Sequence, residues 1–81
     1  MAPTVIDEPV SVGAVFREGK IYPRWFLWKG HRVEIQKTLT SWRVQDWLNV
    51  HLHFAVTNGA SQFELSLDLM HLHWKLEASE G

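Results

Sequence analysis

From Val10 to Leu76 the chain alternates apolar and polar residues with a period of two, the spacing of strands that bury one face. Val10, Val12, Ala14 and Phe16 form the first such stripe, with Ser11, Gly13, Val15 and Arg17 on the opposite face. Glu18-Gly19-Lys20 supplies a turn, and Ile21 to Lys29 a second strand. That strand is apolar on both sides, with Phe26 and Trp28 on one and Trp25 and Leu27 on the other. Lys29-Gly30 turns the chain into a third strand over Arg32 to Leu39, with Val33, Ile35 and Leu39 inward. Thr40 to Leu48 has no clear period and reads as a loop, a short helical turn or a bent strand. Asn49 to Thr57 alternates cleanly. Asn58-Gly59 then gives the strongest hairpin signal in the chain. In the fifth strand Phe63, Leu65, Leu67 and Leu69 face inward; in the last segment Leu72, Trp74 and Leu76 do. The apolar parity therefore slips by one residue near Met70 and His71, which calls for a β-bulge or a short turn.

No stretch carries a helical period longer than a turn. The pattern predicts an all-β fold: a single small antiparallel meander of five or six strands, rolled into a curled sheet or an SH3-like barrel. The expected core is Val12, Phe16, Phe26, Trp28, Val33, Ile35, Leu52, Phe54, Val56, Phe63, Leu65, Leu67 and Trp74. Met1 to Glu8, with two prolines close by and an Asp-Glu pair, reads as a flexible lead-in; residues 9–77 form one domain; Ala78 to Gly81 reads as a frayed tail.

Composition narrows the chemistry. The chain has 81 residues, one small domain, and five tryptophans that help so short a sequence build a core. It has no cysteine, which rules out disulfides, thiolate metal sites and cysteine nucleophiles. Net charge is −1, so attraction to nucleic acid would have to be local. Neither a signal peptide nor a membrane span is visible, and a cytoplasmic location away from membranes is expected.

Two identical tripeptides, His51-Leu52-His53 and His71-Leu72-His73, put pairs of imidazoles on one strand face about 7 Å apart. Four imidazoles suit zinc in principle. A tight Asn58-Gly59 turn, however, sets His51 opposite positions near 66 to 69 and His71 and His73 opposite Asp46 to Asn49. The two pairs are then offset by roughly 13 Å along the strand. His51, His53, His71 and His73 are thus weak metal candidates, better read as a polar sheet face, and no cofactor is expected. Serines lack a nucleophile-elbow setting, and Glu64 and Asp68 are too far apart along one strand to share a substrate atom. Binding is expected rather than catalysis.

Tyr22 to Lys29 interleaves aromatic and basic side chains. Trp25 and Leu27 are the apolar surplus, and they predict a surface for a homodimer or a protein partner. Arg24, Lys29 and Arg32 beside exposed aromatics allow an accessory nucleic-acid surface instead.

The run Phe26-Leu27-Trp28-Lys29-Gly30-His31-Arg32-Val33, then Trp42-Arg43, His53-Phe54-Ala55-Val56-Thr57, Phe63-Glu64-Leu65-Ser66-Leu67-Asp68 and Trp74-Lys75-Leu76, carries a resemblance. It resembles a family of small bacterial domains of unknown function, found alone or attached to the C-terminal part of Y-family translesion DNA polymerases. The resemblance implies an all-β fold and a docking or accessory role near DNA repair. It implies no active site, and the two His-Leu-His pairs fall outside its pattern.

Overall fold

The structure, a computed structural model, describes residues 3–81. It is all-β, with eight strands in two antiparallel sheets. The strands are β1 (Thr4–Pro9), β2 (Ser11–Arg17), β3 (Lys20–Trp28), β4 (His31–Glu34), β5 (Lys37–Gln45), β6 (Val50–Thr57), β7 (Gln62–Asp68) and β8 (His73–Glu80). The larger sheet has the order β1-β8-β7-β6-β5, and the smaller β2-β3-β4.

Local chemistry makes the hairpins. Arg17 pairs with Lys20 and Trp28 with His31, leaving two-residue turns at Glu18-Gly19 and Lys29-Gly30. All four turn residues have positive φ, between 51° and 75°. Those are the dihedrals of a type I′ turn, whose twist matches that of the flanking strands. Asn58-Gly59 also makes a hairpin, through a four-residue loop in which Asn58 Oδ1 accepts from the amides of Ala60 and Ser61.

The single meander does not form, because the chain changes sheets twice. At Ile35-Gln36 consecutive amides serve different sheets: Ile35 N donates to Arg24 O, and Gln36 N to Thr57 O. The predicted third strand is therefore split into β4 and the start of β5. The irregular stretch from Thr40 to Leu48 is mostly regular β5, an edge strand exposed along its whole length. A solvated edge strand has no reason to show a clean apolar stripe.

The expected lead-in is also a strand. Met1 and Ala2 lie outside the described residues, but Thr4–Pro9 pairs with β8 as the other edge of the large sheet. Ile6 packs against the core from it. Nor is Ala78 to Gly81 a frayed tail: Ala78 and Ser79 pair with both β1 and β7. β8 is held from two sides, which the local sequence could not reveal.

The core lies between the sheets. Phe54, Leu65 and Leu76 form one row across β6, β7 and β8; Leu52, Leu67 and Trp74 form the next. Phe26 of the small sheet descends on them, fully buried, and meets Phe63 edge to face at 5.2 Å. Trp28 Nε1 donates to Glu8 Oε2 across the gap, a polar tie between the sheets. Phe16 departs from expectation. It has the inward parity but is 66% exposed, and of its cross-strand pair only Ile21 packs against the core. The sheets do not close into a barrel: a groove of about 470 Å³ opens between them beside β5, lined by Ile21, Tyr22, Ser41, Leu52 and Phe54.

Candidate functional site

Three surfaces carry candidate chemistry, two of them flagged in the sequence and one visible only in the fold.

The first is the outer face of the small sheet. Trp25 pairs with Gly13 and Glu34, and Leu27 with Ser11 and Arg32. The indole of Trp25 packs over Gly13, where a β-carbon would stand only 2.1 to 2.5 Å from atoms of the ring. Arg32 stacks on it at 4.7 Å from the ring centroid and reaches Glu34 at 2.6 Å. Trp25 is therefore half-buried and already partnered, covering a bare strand glycine. Leu27 remains exposed beside it. Of the three cations singled out, only Arg32 joins this pair. Lys29 sits in the turn over Trp28, on the inner side, and Arg24 is the extra residue of a bulge opposite Gly13 and Ala14. Arg17 over Tyr22 adds a second cation–aromatic contact on the small sheet.

Charge is segregated between the sheets. Residues 11–36 hold five basic side chains and two acidic ones; the rest of the chain holds three basic and seven acidic. A net charge of −1 conceals a small sheet at +3 and a large sheet at −4.

The second surface is the outer face of the large sheet, which holds the histidines. His51 pairs with Asp68, and Asp68 with His73, so the two histidines share one row. The expected four-residue offset is thus wrong. The slip near Met70 is a full hairpin turn that returns β8 alongside β7. Sharing a row still leaves His51 and His73 two strands apart, roughly 10 Å. Among the described residues no three His, Cys, Asp or Glu side chains converge on a point that would hold a metal ion. The imidazoles instead meet single carboxylates: His53 Nδ1 lies 2.9 Å from Glu64, and His71 Nδ1 3.0 Å from Asp68. Trp42 stacks on His53. The Asp68 carboxyl is held well below the ordinary carboxylate range, chiefly by its hydrogen bond to the His71 ring and further by the His71 and Met70 amides. Buried Ser66 donates to Glu77, and Lys75 is raised by its bond to Asp7. His51, Ser66, Asp68, His73, Lys75 and Glu77 line an open basin of about 630 Å³.

The third surface was not singled out from the sequence. The β5–β6 loop (46–49) and the β7–β8 turn (69–72) lie side by side at one end of the large sheet, joined by Leu69 N donating to Val50 O. Each is built around an aspartate. Asp46 Oδ1 accepts from the Leu48 and Asn49 amides, and Asp68 Oδ1 from those of Met70 and His71. The loops thus satisfy these amides internally and turn their apolar side chains outward. Trp47 is 93% exposed and Leu72 71%; Leu48 and Met70 stand out with them. A cleft of about 460 Å³ runs between the two loops. Leu72 also has a φ of 58°, a left-handed conformation that is costly for a bulky side chain. The parity slip at Met70 was the only trace of this tip in the sequence. Alternation arguments overlook it because it lies between strands.

No family model, curated protein or solved structure matches this chain.

Proposed function

We propose that this chain is a docking module, and that its docking surface is the tip formed by Trp47, Leu48, Met70 and Leu72 rather than the Trp25 and Leu27 face. The observation that carries this reading is Leu72, which is both solvent-exposed and held at positive φ. The left-handed backbone costs folding stability and the exposed side chain returns none of it by burial, and strain of that kind persists where a surface is used. Desolvating the tip strands few backbone donors, because Asp46 and Asp68 already bind the loop amides. The occupant is a different protein with an apolar groove. A projecting tip needs a concave complement; two of this chain's grooves are rimmed by Lys20 and Arg43 or by His51, Asp68 and Glu77, and the cleft at the tip itself is bounded by Arg43 and Asp46. Asp46 and Asp68 at the base of the tip disfavour an anionic bilayer.

The test places a photoreactive aromatic residue at position 47, with Glu18 as the control position. The protein captured is identified, purified and titrated against wild type and a Trp47→Ser/Met70→Ser variant. Support is position-specific capture with at least tenfold weaker binding by the variant. Equal binding by variant and wild type overturns the reading. So does capture no greater than at position 18.

A second reading, an accessory single-strand nucleic-acid surface, is favoured by one observation: the +3 small sheet carries Arg17 on Tyr22 and Arg32 on Trp25. A base can stack on a guanidinium plane as well as on a ring. This reading fits the role near DNA repair that the resemblance implies. It expects salt-sensitive binding of single strands that is lost in an Arg17→Ser/Arg32→Ser variant. Absence of binding at low salt removes it.

A further inference from the structure

The four sheet edges are not treated alike. An exposed edge offers unpaired backbone groups to any other strand, and proteins blunt it with bulges, prolines, short strands or charge. β1 has a bulge between Val5 and Glu8, an Asp7 at positive φ tied to Lys75, and Pro9 at its end. β4 has only four residues, among them Arg32 and Glu34. β2 lies opposite the bulge at Arg24 of β3, which bends the pair, and it starts against β8, where Val10 N donates to Trp74 O. β5 differs. Its bulge, at Leu39, lies near its start, and from Thr40 to Gln45 it then runs regularly, exposed throughout, with no proline and Arg43 as its one charge over that stretch. Its outward face reads Thr40, Trp42, Val44, a β-prone row continuous with His53 and His51 on β6.

We infer that β5 is a self-association edge: a second copy of this chain pairs with it antiparallel, joining two five-stranded sheets into one of ten. Side-chain faces restrict the two-fold register. Centring on Arg43 would set two guanidinium groups directly opposite each other, which is unfavourable. Centring on Trp42 sets Trp42 against its symmetry mate, Val44 against Thr40 and Arg43 against Ser41. That register brings the apolar residues together and leaves no like charges opposed. An edge ladder buries less than the ~1,600 Å² of a standard interface, which places this dimer among the weak, concentration-dependent associations. The two-fold points the two apolar tips in opposite directions, which makes the docking module bivalent. The inference does not depend on the tip reading, since it uses a different surface.

Light scattering across a concentration series tests it. The expected mass rises from 9.4 kDa toward twice that value, and a Trp42→Lys variant stays at one chain. The absence of cysteine allows a second test independent of that variant's folding. A Trp42→Cys chain should form an intermolecular disulfide readily, because directly opposed strand residues have Cβ atoms ~4.5–5.5 Å apart. Val5→Cys, on the opposite edge, should not. A mass of one chain up to millimolar protein overturns the inference. Crosslinking of Val5→Cys as fast as Trp42→Cys does the same. So does a dimer abolished by Trp47→Ser, which would place the contact at the tip.

Discussion

Gly13→Ala is the sharpest test of how the small sheet is held together. In an ordinary strand this change is favourable by about 0.5–1 kcal/mol, because glycine loses more backbone freedom on folding. Gly13 has no positive φ that would penalise alanine. Its β-carbon, however, would stand 2.1 Å from the Trp25 indole, far inside contact distance, so the ring must leave the strand. Leaving, it forfeits its contact with β2 and the Arg32 stack. Overpacking of this kind costs about 1–3 kcal/mol, enough to reverse the sign of the usual effect. In a domain of this size each kcal/mol moves the melting midpoint by roughly 4–8 °C. The assay is thermal unfolding of wild type, Gly13→Ala, Trp25→Ala and the double variant. The expected result is a clear loss for Gly13→Ala alone. In the Trp25→Ala background, where the indole is gone, the same change should cause no loss or a small gain. That non-additivity is the signature of direct contact. If Gly13→Ala is as stable as wild type, or equally harmful with and without the tryptophan, the account of Trp25 as the cover of Gly13 fails.

Leu65→Ala should cost about 2–5 kcal/mol, read as a lowered denaturant midpoint, because Leu65 is fully buried in the middle of the core row between Phe54 and Leu76. Leu72→Gly should raise stability by about 1 kcal/mol by relieving the left-handed leucine, while weakening capture through the tip; a destabilised variant would contradict the strain argument. Asp68 has a folded pKa below its unfolded value of about 3.9, so its stabilisation is fully present above that value and is lost as pH falls through the folded pKa. Wild type should therefore lose its stability advantage over Asp68→Asn below about pH 4, measured by urea unfolding at stepped pH, and a constant gap through that range would count against it.

Alternation alone was enough to name the strands that build the core. Phe26, Phe54, Val56, Phe63, Leu65 and Leu67 are all buried, since period-two patterning records which side of a strand faces apolar partners. The glycine turns were legible for a similar local reason, because positive φ is written into the residue types that tolerate it. Edges and sheet assignment were not. Thr4–Pro9 and Lys37–Gln45 are strands because a neighbour offers backbone partners, and solvated edges need no apolar stripe. Phe16 kept the inward parity but found no partner in the core. The surplus Trp25 was visible in sequence, but only the bare glycine across from it explains how it packs so close to the strand. The apolar tip was the least legible of all. Trp47 and Leu48 lie 22 residues or more from Met70 and Leu72 along the chain, and only the pairing of β6 with β7 brings their two turns together. Local pattern determines which residues prefer burial; the tertiary register decides which of them find a partner inside the molecule and which are left to find one outside it.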